Sequence, residues 1–302
     1  MTTGQVAGWD VGGVNLKCAV VQHGLVARAH TRPFEIQRTP GDLVAALRTE
    51  AGDARLVNGT PHAVTMTAEL SQLFRTKREG VAFVLDAMAG AFPDDEIAIY
   101  TVDGRFVSAD EARREPLLVA ASNWHATATV AAQTWPDATL VDIGSTTTDI
   151  IPIAHGAVAA TGRTDPDRLS NGELLYLGAV RTPVEAIVHD VPLGSSSAGV
   201  SAEAFALSGD IYVWTGDLAA HDYGAPTPDG RAVTREFTRE RLARIICADR
   251  EMLDDHAIDR IAAHVAGAQV ARTAAALARV RAGIPAEAPV VTAGIGAFIA
   301  ER

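Results

Sequence analysis

Short apolar runs alternate along the chain with longer stretches whose apolar residues recur every three or four positions, the pattern of an α/β protein. Residues 7–10 and 16–22 are apolar runs parted by Gly12 and Gly13, and Gly24 turns the second run into a third over 25–34. The expectation is strand, tight turn, strand, turn, strand. Pro40 and Gly41 open a helical pattern carried by Leu43, Ala46 and Leu47 and ended by Gly52. Residues 63–67 predict a buried strand, 79–91 a helix, and 97–107 a hairpin turning at Asp103 and Gly104. Helical patterns broken at Glu115 and Pro116 lead to a helix over 120–135, which Pro136 stops. Further helices are expected over 204–218, 238–248 and 257–281. The chain closes with a strand at 289–292, a turn at Gly294 and Gly296, and a short helix. The Gly-, Pro- and Asp-rich segment 220–231 reads as an exposed, mobile loop.

The arrangement of the first two strands recurs about 130 residues later. Residues 138–142, the turn at Gly144 and Ser145, and residues 147–153 again place an Asp at the end of an apolar strand, followed by Gly and small polar residues. Such turns let backbone N–H groups converge on an anion. In the first turn Gly12, Gly13, Asn15 and Lys17 are candidate phosphate or diphosphate ligands, and Asp10 a candidate Mg²⁺ ligand acting through water. In the second, Gly144, Ser145, Thr146 and Thr147 offer amides and hydroxyls, Asp142 is the matching metal candidate, and Asp149 lies back in the next strand. Gly294 and Gly296 form a third, weaker turn that brings backbone close to a ligand. Each turn alone is also compatible with a plain hairpin; together they point to a bound phosphate.

Charge narrows the function. A formal net charge of −11 argues against nucleic acid or an anionic membrane as partner. No long apolar run predicts a membrane span, and the first residues lack the basic and apolar blocks of a secretory signal, so a cytoplasmic enzyme is expected. Two lone cysteines, Cys18 and Cys247, match neither a disulfide framework nor a zinc site, and the nine histidines show no metal-ligand spacing.

The order Asp-x-Gly-Gly, Asp-x-Gly-Ser-Thr-Thr-Thr-Asp and Gly-x-Gly resembles the phosphate-1, phosphate-2 and adenosine-type motifs of the acetate and sugar kinase/heat-shock 70/actin superfamily, in its hydantoinase/oxoprolinase branch. That resemblance implies a two-lobed actin-like, ribonuclease H-like α/β fold, with lobes over 1–135 and 136–302. Residues 66–70 (Met-Thr-Ala-Glu-Leu), 74–77 (Phe-Arg-Thr-Lys), 122–124 (Ser-Asn-Trp), 168–174 (Arg-Leu-Ser-Asn-Gly-Glu-Leu) and 181–184 (Arg-Thr-Pro-Val) are similar to the methanofuran-biosynthesis synthase family. The implied reaction joins an (aminomethyl-furanyl)methyl diphosphate to the phenol oxygen of γ-glutamyltyramine and releases pyrophosphate, in tetrahydromethanopterin-linked one-carbon metabolism, with Mg²⁺ and no organic cofactor.

On that resemblance Lys17 and the two turns neutralise the leaving group, joined by Arg75 and Lys77. Glu69 meets the aminomethyl cation, unless it, Arg75 and Lys77 are solvated surface charge; Arg181 meets the glutamyl α-carboxylate, unless it forms a salt bridge on a helix end; and Trp124 meets the furan or phenol, unless it is a core residue. Asp149, Glu173 and His125 are candidate acceptors of the phenol proton; Glu173 alternatively closes a capping box with Ser170. An ATP-dependent small-molecule kinase is the main alternative, followed by a hydrolase of the hydantoinase type or a nucleotide-dependent scaffold. The apolar helix over 257–281 suits either the core or a homo-oligomer interface.

Overall fold

The alternation over the first strands becomes an antiparallel meander of β1 (Gln5–Val11), β2 (Asn15–Gln22) and β3 (Leu25–Pro33). Alternate residues of β1, from Gln5 to Val11, are buried, as a period of two requires when one face packs on a core. The computed structural model describes residues 4–302 and divides into two compact units.

The first unit comprises the chain up to residue 130 together with 163–165. Its six-stranded sheet runs β3-β2-β1-β4-β5-β6. Strands β4 (His62–Met66) and β5 (Ile97–Tyr100) lie parallel to β1, and β6 (Phe106–Val107) closes the edge antiparallel to β5. Helices α1 (Leu43–Asp53) and α2 (Lys77–Ala91) make the connections into β4 and β5, as parallel strands require. Two bonds fix the start of α2: the Thr76 hydroxyl, at the N-cap, takes the Glu79 N–H, and the Glu79 carboxylate takes the Arg75 N–H at 2.7 Å. Pro116 separates α3 (Ala109–Arg114) from α4 (Pro116–Val119), because proline tolerates only the first turn of a helix. At the base of the sheet Trp9 donates its indole N–H to His62 Nδ1 at 2.8 Å, so Nε2–H faces Asp95 at 3.2 Å. Burial pushes the His62 imidazole below its ordinary range, and the Asp95 charge opposes that shift.

The second unit holds 131–162 and 166–302, so the division falls inside α5 (Asn123–Thr134) and not at Pro136. Strands β7 (Ala138–Ile143) and β8 (Thr148–Ala154) repeat the β1–β2 hairpin, and β9 (Ala157–Val158) and β10 (Leu174–Leu175) pair with β8. Helix α6 (Asp165–Asn171) precedes β10, and a separate hairpin, β11 (Asp190–Leu193) with β12 (Ser196–Gly199), follows it. Helix α7 (Ser208–Thr215) is shorter than the expected 204–218. Asp210 Oδ2 takes the Leu207 N–H at 2.9 Å at its start, and Gly216, with φ of 83°, ends it.

Helices α8 (Arg235–Arg244) and α9 (Asp255–Val280) follow. Ile258, Ile261, Ala262, Val265 and Ala266 of α9 recur at spacings of three and four and are buried in this unit's core. The apolar face of the 257–281 helix is therefore core. Strand β13 (Val290–Ala293) joins β7 in parallel, and α10 (Ala297–Ala300) ends the chain. No helix of the described residues is long and apolar enough to cross a membrane.

Segment 220–231 departs from the expected mobile loop. Tyr223 is buried and its hydroxyl donates to Asp210 Oδ2, while Arg241, fully buried, bridges Asp210 and Asp229. A loop carrying one member of a buried ion-pair network cannot leave without stranding charge, so both ends of this segment are held.

Candidate functional site

The two repeated hairpins match residue for residue. The Gly12 N–H donates to the Asn15 carbonyl at 3.0 Å, and the Gly144 N–H donates to the Thr147 carbonyl at 2.9 Å. Across each hairpin the terminal Asp faces the residue at the same register position, Asp10 opposite Lys17 and Asp142 opposite Asp149. A neighbouring strand of main chain covers the carbonyls of each turn. In the first unit Ile36 and Phe34 donate to Gly13 and Val14; in the second Ala179 donates to Gly144, and Val180 and Arg181 both donate to Ser145. The amides of Gly13, Val14, Ser145 and Thr146 donate to nothing among the described residues. Carbonyls capped and amides left over is the polarity an anion requires.

The glycines divide by what they allow. A Cβ on Gly12 would stand 2.8 Å from the Asn15 carbonyl, so the tight turn excludes one, whereas a Cβ on Gly13 would meet nothing within 4 Å. Gly294, with φ of 83°, lies against the Ile143 carbonyl and the Asp142 carboxylate, and Gly296 lies against Ile143 and Ala179. Their missing side chains seat the last turn on the end of β7, a packing reason for both glycines. Gly178, whose Cβ would come within 2.5 Å of the Ser145 and Thr146 backbone, performs the same service for the second turn.

The charges around the turns differ. Lys17, about half exposed, pairs with Asp10 Oδ2 at 3.0 Å, and Asp10 Oδ1 is buried with no hydrogen-bond partner. Asp149 instead takes a 2.6 Å bond from Arg168, a guanidinium buried almost completely that also donates to the Glu173 carbonyl. In the first unit Glu69 sits on a single helical turn after β4, its side chain sealed and both carboxylate oxygens without hydrogen bonds. Burial drives its pKa up to about 7, against the pull of Lys77 at 3.8 Å. Lys77 itself bonds Asp165 at 2.6 Å. Gly80 makes this fit possible, since any Cβ there would strike the Glu69 backbone.

The family model described as Hydantoinase/oxoprolinase matches residues 61–302. The chain is 38% identical to (4-{4-[2-(gamma-L-glutamylamino)ethyl]phenoxymethyl}furan-2-yl)methanamine synthase of Methanocaldococcus jannaschii, over 84% of this chain and 75% of that protein. A protein of the same name from Methanococcus vannielii is 42% identical over 36% of this chain and 49% of its own length. This chain belongs to the hydantoinase/oxoprolinase family. Within that family it groups with these synthases. Among solved structures, the nucleotide-free structure of acetone carboxylase superposes over 92% of this chain and 63% of its own, with a TM-score of 0.56 at 12% identity. That likeness bears on the fold, which is the expected actin-like α/β class with mixed sheets flanked by helices.

In this hydantoinase/oxoprolinase member several anticipated residues have other work. Glu173 is buried, and its carboxylate takes the Thr161 N–H and hydroxyl and the Gly162 N–H, so it braces the 161–162 backbone. It closes no capping box: Ser170 lies in the last turn of α6 and bonds back to the Pro166 carbonyl. Trp124 is a core residue, 4% exposed, edge-on to His125. His125 Nδ1 lies 3.0 Å from the Tyr100 hydroxyl and 3.2 Å from that of Thr129, and burial pushes its pKa down. Lys77 is engaged by two acids, while Arg75 is exposed and contributes its N–H to the start of α2. Arg181 is half-buried. Sequence reasoning gave no role to Arg168, Asp165 or Gly178; Arg168 lies within a quoted family segment, but its partner Asp149 comes from another element.

Proposed function

We propose that this chain is the synthase that builds the aryl ether of the aminomethyl-furan product, joining a furan-methyl diphosphate to the phenol oxygen of γ-glutamyltyramine. The observation that carries the reading is the pair of turns with unbonded amides, in a chain closely related to a protein named for that product. In the reaction the bond between the furan-methyl carbon and the diphosphate oxygen breaks, and its electron pair leaves with the diphosphate. The phenol oxygen supplies the new bond to that carbon. The furan stabilises positive charge at the carbon, so the protein's task is to hold the leaving group's negative charge and align the phenol.

Lys17 and the Gly13 and Val14 amides suit that task in the first unit, and the Ser145 and Thr146 amides suit it in the second. The phenol proton has to leave as the bond forms. The Glu173 carboxylate already takes three hydrogen bonds from residues 161–162, and Asp149 is held by a guanidinium. The departing diphosphate, whose oxygens gain basicity as the bond breaks, is the better acceptor.

Mg²⁺ fits the donor set. The buried Asp10 Oδ1 lacks a partner, and an ion that keeps most of its waters needs only one or two carboxylates, here Asp10 or Asp142. No cluster of three or more His, Cys, Asp or Glu suited to a dehydrated metal occurs among the described residues. When bound, the ion supplies charge neutralisation to the diphosphate. The test is pyrophosphate release from the two substrates without ATP. Turnover that requires ATP and yields ADP would overturn the reading in favour of a kinase.

A further inference from the structure

Arg181 is a cation of the second unit without a counterion among the described residues. It is half-buried, yet its side chain makes no hydrogen bond or ion pair with any described residue. Arg244 and Arg260 share that state, and what sets Arg181 apart is its place beside the second turn. Its backbone is fixed at the turn itself. The Arg181 N–H donates to the Ser145 carbonyl at 2.9 Å, beside the Val180 N–H on the same oxygen at 3.0 Å.

The loop that carries it is held from three sides. Gly178 N–H donates to the Thr182 hydroxyl, and the Gly178 carbonyl receives both the Ser208 hydroxyl at 2.9 Å and the Gln269 amide at 3.0 Å. Gln269 is in turn bonded by Tyr212. An arginine on a rigid loop, one peptide from two unbonded amides, is organised for an oxyanion before the oxyanion arrives.

We propose that Arg181 is a binding residue of the second turn for a phosphate or diphosphate group. This deepens the synthase reading and rests on it for the identity of that group: it assigns Arg181 to the leaving diphosphate and not to the glutamyl α-carboxylate of the acceptor. The planar fork suits two oxygens of a phosphoryl group or a carboxylate alike, and it is the anchoring of Arg181 on the Ser145 carbonyl, beside the unbonded amides, that favours the phosphoryl group.

The test uses the full chain with Mg²⁺ and pyrophosphate as the probe in a calorimetric titration, on wild type, Arg181→Gln and Arg181→Ala. Both substitutions are expected to weaken pyrophosphate binding by about tenfold or more, the usual loss for a charge-assisted contact. They should raise KM for the furan-methyl diphosphate and leave the preference for γ-glutamyltyramine over tyramine unchanged. Unchanged pyrophosphate affinity overturns the proposal, and so does a lost preference between the two acceptors, which would place Arg181 on the carboxylate. A variant that fails to fold also overturns it, because an arginine without protein partners has no fold to hold together. If wild type forms no ether product but still loses pyrophosphate affinity on substitution, the synthase reading fails and the anion site stands.

Discussion

The two turns share a backbone and differ in one decisive side chain. At the register position where the first carries Lys17, the second carries Asp149. The first turn thus brings its own cation, set at the surface and paired with its own Asp. The second brings an extra acid and borrows a cation from α6, Arg168, which is buried and bonded to main chain as well. One hairpin design therefore yields a half-exposed charge paired with its own Asp in one unit and a nearly sealed pair in the other. If Lys17 serves binding as proposed and Arg168 stability, the position of the cation, exposed or sealed, separates the two.

Arg168→Ala is the sharpest way to break that contrast. It removes a nearly sealed guanidinium from Asp149 and from the Glu173 carbonyl, and breaking one partner of a buried pair typically costs about 3–5 kcal/mol. Chemical denaturation should show that loss, with Asp149→Asn added to Arg168→Met restoring part of it. A change under about 0.5 kcal/mol would mean that the pair is not the structural half of the comparison.

Lys17→Ala is expected to do the reverse. An exposed pair such as Lys17 with Asp10 contributes at most about 1 kcal/mol to stability, so the melting temperature should hardly move. Removing a preorganised charge at the leaving group should lower kcat about 100- to 1,000-fold, read as pyrophosphate release. A variant that lost stability and kept turnover would invert the assignment of the two turns.

How much of this was legible in the sequence follows from distance along the chain. Each hairpin carries its Asp, glycines and opposing residue within eight positions, so Asp10, Gly12, Lys17 and their counterparts could be read locally. The braces could not, because they arrive from elsewhere: residues 178–181 onto Ser145, and Arg168 onto Asp149. Glu173 was open to misreading for the same reason, since its partners Thr161 and Gly162 precede it across α6. The β11–β12 hairpin left no signal, as Ser196 to Gly199 is a run of small residues without alternation. Segment 220–231 has the composition of a free loop and the tertiary bonds of a fixed one.

Glu69 extends the comparison to pH, since the electrostatic reach of its buried carboxyl includes Asp10, the acid of the first turn. Its folded pKa of about 7 lies above the ordinary 4.5, so the folded state holds the proton more tightly than the unfolded state. Stability from this group is complete below pH 4.5 and declines as pH rises toward 7, where the buried carboxyl ionises. Glu69→Gln removes that decline. Its stability relative to wild type should rise across this window by an amount on the order of 2 kcal/mol, measured by denaturant midpoints at several pH values. A difference independent of pH would show that Glu69 stays ionised throughout, held by Lys77.

The smallest effect expected is at Gly13, and it tests whether the turns are interchangeable. Ser145 occupies the matching position in the second turn, so this backbone already accommodates a Cβ there, and a Cβ on Gly13 would meet nothing within 4 Å. Gly13→Ala should therefore leave stability unchanged or raise it by about 0.4–1 kcal/mol, because alanine restricts the unfolded chain. Its cost should fall on the ligand. If the diphosphate approaches the bare Gly13 amide, the added methyl weakens pyrophosphate binding without moving the melting temperature. An affinity equal to wild type would show that the first turn, like the second, admits a side chain at this point, and would leave Lys17 as the feature that sets the two apart.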